Sequence, residues 1–336
     1  MSVWASYLAN LESSSRRCYV RVVNDFQKFL ADRPDDIVNE AVLLEYSKRM
    51  PVEASTKISY MSIVFRYCSM ALGEDLQWKN CPLVSQHLKK EKIKHKTKKA
   101  AIFDEKELRR FWSLDLPPQD EWLKLVSIIA FYGWARSDDL NQLNFENVRF
   151  SDRGIHVRFE RGKTDSDDKG GLEFVIVFEN SPAGPAELFQ RYYNQLPERY
   201  RSGKLFKRWK NNVTPPGYRM QHHGMNHLKM VGSRIAEILE IPNPQAYTGH
   251  CFRRSGATHM ANAGASTKQL KCKGRWASDS VADRYIGSST KTLEKDARMM
   301  QDIPSDQGTK RRRVEEETKP KDVPVVSNRV TVCTIS

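Results

Sequence analysis

The chain has 336 residues, with 55 Lys and Arg against 41 Asp and Glu, a net charge of +14 and a pI near 9.4. That length suggests two domains, and 39% hydrophobic residues allow each a core. The basic excess fits a polyanionic partner, while the absence of any run of about 18 apolar residues excludes a membrane-spanning helix.

Residues 1–88 read as a helical domain. Ser13 to Ser15 offer caps to a helix on which Tyr19, Val22, Phe26 and Phe29 recur at spacings of three and four. Arg16, Arg17 and Arg21, on the same helix as Lys28, are candidate DNA contacts. A second helix passes through Ala41, Leu44 and Tyr46 and stops before Pro51. In a third, Ile58, Met61, Phe65, Cys68 and Leu72 step by three and four, and Gly73 suits a C-terminal cap. Residues 89–101 read as a basic linker. Its Lys94, Lys96, Lys98 and Lys99 can lie against a phosphate backbone, which adds salt-dependent affinity without reading bases.

Residues 102–301 form the second expected domain. Asp104 and Glu107 are spaced as a capping box opening a helix through Phe111 and Trp112. Trp122, Leu125, Val126 and Ile129 make an apolar helix face ending near Gly133. Arg136, with Asp139 three residues on, then stands at the mouth of a short helix. Residues 155–160 and 172–178 read as two strands. Between them a loop carries Lys163 and Lys169. Its Gly-Lys-Thr lacks the upstream glycines and following helix of a phosphate-binding loop, so nucleotide binding is rejected. Residues 184–197 suit a helix. Residues 200–219 read as basic and irregular, with Lys207, Arg208 and Lys210 as candidate DNA contacts. His222, His223 and His227 have no Glu or Cys at metal-site spacing, so they read as surface or DNA-contacting histidines and no metal is expected. A helix from Met225 to Leu239 follows.

The stretch from Tyr247 to Tyr285 carries the chemistry. His250 and Arg253 are three apart and fall one turn apart if the segment after Gly249 is helical. A guanidinium can hold two non-bridging phosphate oxygens, and an imidazole can donate a hydrogen bond or move a proton. Trp276 supplies a donor-only indole, and Tyr285 a phenol oxygen that can act as a covalent nucleophile once activated. Taken singly, these are ordinary packing residues; their order and spacing carry the reading.

That order resembles the tyrosine recombinase family, in which a His-x-x-Arg motif is followed by a His or Trp and then by the nucleophilic Tyr. The wording Tyr-Thr-Gly-His-Cys-Phe-Arg-Arg, Ala-Gly-Ala and Gly-Arg-Trp-Ala-Ser is similar to the Crypton class of eukaryotic mobile elements. The resemblance covers roughly residues 104–300 and implies a mainly helical catalytic domain with a small antiparallel sheet, behind a helical core-binding (SAM-like) domain that clamps DNA. It implies that Tyr285 attacks a phosphate, forming a 3′-phosphotyrosine and releasing a 5′-hydroxyl. Arg136 and Arg253 would hold the non-bridging oxygens, His250 and Trp276 would add hydrogen bonds, and Asp139 would orient its neighbours. Lys163, from a β-turn, would be the general acid, with Lys169 competing. One phosphodiester replaces another, so no cofactor or ATP is implied. The implied partners are duplex DNA and further copies of the chain, as a dimer or tetramer.

Residues 302–336 are polar and aperiodic, and a disordered tail is expected. Its run Lys310-Arg-Arg-Arg resembles a nuclear-import signal, so the nucleus is the expected location. The six cysteines are scattered and read as thiols of a reducing compartment, and the first residues lack the parts of a signal peptide. Two other readings keep the same fold: a type IB topoisomerase, separable by substrate breadth and stoichiometry on DNA, and a domesticated DNA-binding protein that no longer cuts.

Overall fold

The computed structural model describes residues 2–34, 36–94, 99–160 and 171–301. The chain divides into two compact units, one ending at Lys99 and the other starting at Ala100.

The first unit is all helical: α1 (Val3–Ala9), α2 (Ser13–Ala31), α3 (Glu40–Arg49), α4 (Ala54–Tyr67) and α5 (Pro82–Lys94). The stripes on α2 and α4 meet, burying Val22, Phe26 and Phe29 with Met61, Phe65 and Cys68. Burying each such large side chain contributes about 1.5–3 kcal/mol. Past Tyr67 the helix widens into a π-type turn, Cys68–Leu72, and Gly73 ends it at φ +73°, a left-handed conformation that glycine adopts without steric cost.

Two local expectations change here. No serine caps α2: its N-cap is Glu12, and Ser13 already lies inside the helix. The linker begins later than its charge suggests. Val84 and Leu88, four residues apart, are buried, and this apolar stripe carries α5 through the first lysines as far as Lys94. Lys94 and Lys99 are exposed; Lys96 and Lys98 lie outside the described residues.

The second unit opens with α6 (Glu105–Ser113), whose Asp104–Glu107 capping box is present in full. Next comes α7 (Trp122–Tyr132), in which every residue from Trp122 to Phe131 is buried, so α7 is the axis of this core. The short α8 (Ser137–Gln142) follows. Strands β1 (Val148–Ser151), β2 (Gly154–Arg158) and β3 (Glu173–Val177) form an antiparallel sheet in that order. The β2–β3 connection, with Lys163 and Lys169, lies outside the described residues.

Helix α9 (Pro185–Gln195) leads to a second antiparallel pair, β4 (Lys207–Lys210) and β5 (Gly217–His222). This corrects the expectation of irregular backbone over 200–219. Trp209 sits opposite Tyr218, their rings 5.1 Å apart and perpendicular, and this cross-strand pair is hidden in the sequence by the surrounding charges. Five helices complete the unit: α10 (Met225–Ile238), α11 (Cys251–Asn262), α12 (Thr267–Gly274), α13 (Asp279–Gly287) and α14 (Thr290–Gln301). Among the described residues no helix is long and apolar enough to cross a membrane.

Candidate active site

The site is built where α7 ends. The chain turns at Trp134, whose backbone is left-handed at φ 49°, and re-enters a helix at Arg136, the N-cap residue of α8. The Arg136 backbone N–H donates to Asp139 Oδ2 at 2.8 Å, so the carboxylate satisfies a donor that the helix itself leaves open. Asp139 is buried, 8% exposed, and its second partner is the Arg275 guanidinium, which reaches both carboxylate oxygens.

His250 occupies the N-cap of α11, and Arg253 lies one turn further on. Burial first, then the charges of Arg253 and Arg136, hold the His250 imidazolium below its ordinary range. Arg253 is only 7% exposed. Its guanidinium donates to the Trp134 carbonyl at 2.9 Å and to the Gly274 carbonyl. Burial, together with Arg136 and Arg275, lowers its pKa to about 10, against the opposing influence of Asp139 and Tyr285. Helix α11 can approach this turn because residue 256 is glycine. A Cβ there would stand 2.5 Å from the Trp134 ring and 2.6 Å from the Phe131 carbonyl oxygen.

Helix α12 stops at Gly274, and Arg275 takes the left-handed C-cap position at φ 50°. That turn delivers Trp276. Its ring lies 5.9 Å from Trp134 and stacks almost parallel on Tyr285, 5.3 Å away at 3°. The Arg253 guanidinium sits over the same indole at 5.6 Å. Tyr285 is carried by α13, anchored by buried Ala282 and tied to α12 by Lys271–Asp279 at 2.7 Å and Thr267–Asp283 at 3.0 Å. Arg136, Asp139, His250, Arg253, Trp276 and Tyr285 are therefore neighbours, although up to 149 residues separate them. Lys163 and Lys169 lie outside the described residues.

The setting is cationic: the Arg253 guanidinium feels the charges of both Arg136 and Arg275, with Asp139 opposing them, and such a cluster suits an anion and charge that grows on its oxygens. Arg275 does not stand out in the sequence, and neither does Lys273. The signal of Arg275, a charged residue between Gly274 and Trp276, becomes meaningful only once Asp139 is seen beside it. The Lys273 amine lies 6.0 Å over the Trp134 ring and 5.6 Å over Phe174, with burial lowering its pKa.

The candidate DNA contacts have mixed settings. Arg17 and Arg21 are exposed on α2 and, with Arg16, Val20, Asn24, Asp25 and Lys28, line a shallow groove. The Arg16 guanidinium, though exposed, donates to the carbonyls of Leu8, Ala9 and Leu11 and so holds the end of α1. Arg208 and Lys210 are half-buried on β4. Lys207 is a correction: it is 2% exposed, its amine donates to the Ser202 carbonyl at 2.7 Å, and it lies under the surface a phosphate would meet. His223 is likewise not a surface histidine. It stacks on Trp122 at 3.6 Å and is 8% exposed. Among the described residues, no group of three or more His, Cys, Asp or Glu could hold a metal ion.

Solved structures share this fold. XerH site-specific recombinase bound to palindromic difH substrate has a TM-score of 0.61 at 14% identity, covering 86% of this chain and 80% of its own. The Tn1549 transposon integrase in complex with transposon right end DNA has a TM-score of 0.63 at 16% identity, covering 90% and 100%. A lambda integrase dimer bound to a COC′ core site has a TM-score of 0.54 at 15% identity, covering 85% and 95%. No curated protein matches the chain. The fold is thus that of tyrosine recombinase catalytic domains, mainly helical with small antiparallel sheets. Residues 101–292 match the Phage integrase family, and the chain belongs to that family.

Proposed function

We propose that this chain cleaves and rejoins DNA through a 3′-phosphotyrosine at Tyr285, in the recombination or transposition of a Crypton-type mobile element. The supporting observation is the gathering of Arg136, His250 and Arg253 into one cluster, with the Tyr285 ring against Trp276 and the Arg253 guanidinium over the same indole. The Tyr285 oxygen attacks phosphorus and forms the new P–O bond; its proton leaves to solvent. The bond to the 5′ oxygen breaks, and Lys163, from the β2–β3 connection, protonates that oxygen. Arg136 and Arg253 hold the non-bridging oxygens as negative charge builds, a preorganised electrostatic stabilisation. The His250 imidazole, with its protonated form disfavoured by burial and then by Arg253 and Arg136, donates a hydrogen bond as a neutral ring, and the Trp276 N–H adds another.

Duplex DNA is the proposed partner. It fits the +14 charge and the exposed Arg17 and Arg21, and the recombinases of like fold are themselves bound to DNA. Assembly of several copies on DNA is proposed through α14, whose Leu293, Met299 and Met300 are exposed. The nucleus is the proposed location. Incubating the protein with a nicked suicide duplex tests the chemistry. A detergent-resistant protein–DNA adduct is expected from the natural chain and none from Tyr285→Phe, with DNA binding retained in both. An adduct that persists in Tyr285→Phe refutes the assignment.

A further inference from the structure

Arg275 has no role in the chemistry described above, yet its side chain is 8% exposed and paired in two-pronged fashion with an equally buried carboxylate. We propose that Arg275 is a positioning residue that acts through Asp139 to set the alignment of both phosphate-binding arginines and of Trp276. The inference rests on the transesterification reading of the site.

Asp139 joins two segments distant in sequence. One oxygen takes the Arg136 backbone N–H at 2.8 Å and so fixes where α8 begins and where the Arg136 side chain departs. The same carboxylate holds the Arg275 fork. Arg275 in turn sits between two site contacts. The Gly274 carbonyl before it accepts from Arg253, and Trp276 after it lies under that guanidinium and against Tyr285. One ion pair therefore sets the separation between the turn bearing Arg136 and the turn bearing the Gly274 carbonyl and the indole. A buried charge pair is costly to form but, once formed, costs still more to break by removing one partner. Such a pair suits a geometric lock better than a general stabiliser. The fork matters as well: only a planar guanidinium can engage both carboxylate oxygens in a defined orientation.

Arg275 also adopts φ 50°, a left-handed conformation that Asn and Gly accept more readily than Arg. This allows the backbone role to be separated from the side-chain role. If residue 275 served only as a helix cap, Arg275→Asn would leave cleavage unchanged or improve it. If it positions the arginines through Asp139, Arg275→Asn should slow cleavage.

The test measures single-turnover adduct formation on a suicide duplex at saturating DNA, alongside DNA affinity and thermal unfolding. We expect Arg275→Asn to lower the rate by about tenfold to a hundredfold, the scale of a misplacement of about 1 Å, with affinity changed less than about threefold. Arg275→Lys, which keeps the charge without the fork, should fall between. Should Arg275→Asn unfold, the double variant Asp139→Asn/Arg275→Asn leaves no orphaned charge and carries the same expectation. A second substrate, with the scissile phosphate replaced by a methylphosphonate, removes the charge the arginines hold. On it the gap between wild type and variant should shrink several-fold, which a merely structural defect would not do. Equal rates in wild type and Arg275→Asn, or the same gap on both substrates, would overturn the proposal. Absence of any adduct from the wild-type chain would instead overturn the reading of the site, and this inference with it.

Discussion

Arg253 is a guanidinium with almost no contact with water, held by two backbone carbonyls and faced by two like charges. An isolated arrangement of this kind is electrostatically costly, and an incoming phosphate would relieve it. The clustered cations therefore favour binding of an anion. His223 shows the opposite solution, a titratable group buried uncharged. Both ring nitrogens lack a hydrogen-bond partner, and burial first, then His227, Arg208 and His222, push its pKa down to about 3. The unfolded residue titrates near about 6.5. Between those values the unfolded chain holds a proton that the folded chain does not. Stability should therefore fall as pH drops from about 6.5 towards about 3, by up to about 1.4 kcal/mol per pH unit. Denaturant titrations at pH 7 and pH 5 should show a loss of about 2 kcal/mol from this residue, and His223→Leu should flatten the dependence by that amount. Identical pH profiles for the two proteins would remove His223 from the acid response.

At the scale of elements, the close crossing of α11 over Trp134 depends on Gly256. Gly256→Ala should cost about 1–3 kcal/mol, because the added methyl meets an indole ring and a backbone carbonyl rather than a movable side-chain end. Thermal unfolding would register this as a lowered Tm, and adduct formation should fall with it, since α11 carries His250 and Arg253. An unchanged Tm would mean that α11 can shift and that the crossing is not tight. Elements whose signal is local were legible in the sequence: the stripe from Met61 to Cys68 with Gly73 behind it, the Asp104–Glu107 box, and the His250–Arg253 spacing. Elements whose signal is a pairing were not. Strands β4 and β5 are short and carry several charges, and their pairing, with Trp209 opposite Tyr218, cannot be read along either strand alone. Residues 89–94, the last turns of α5, looked like linker because their lysines hide the two buried residues, Val84 and Leu88, that hold the helix in place. Arg275 was invisible for the same reason, its partner lying 136 residues upstream. The buried setting of Lys207 depends likewise on a carbonyl of the preceding loop and on the Phe145 ring, neither of which its own neighbours in sequence reveal.

For the whole molecule, the two units divide the proposed labour. The second carries the site residues; the first contributes exposed arginines on α2 and the basic end of α5. If both touch DNA, the full chain neutralises more phosphates than the second unit alone. Each phosphate contact lowers log K by roughly 0.9 per unit of log salt. A chain starting at Ala100 should therefore bind more weakly and with a clearly shallower slope than the full chain. Equal slopes and affinities would assign the first unit to protein contacts instead.

Whether Tyr285 becomes covalently joined to DNA is decided by peptide mapping of the trapped adduct. Protein captured on a suicide duplex is digested with nuclease and protease, and the modified peptide is sequenced by mass spectrometry. A nucleotide remnant is expected on the phenol oxygen of Tyr285, linked through a 3′-phosphate, with a free 5′-hydroxyl on the departing strand. A remnant on another residue such as Tyr247, or linkage through a 5′-phosphate, would contradict the proposed chemistry.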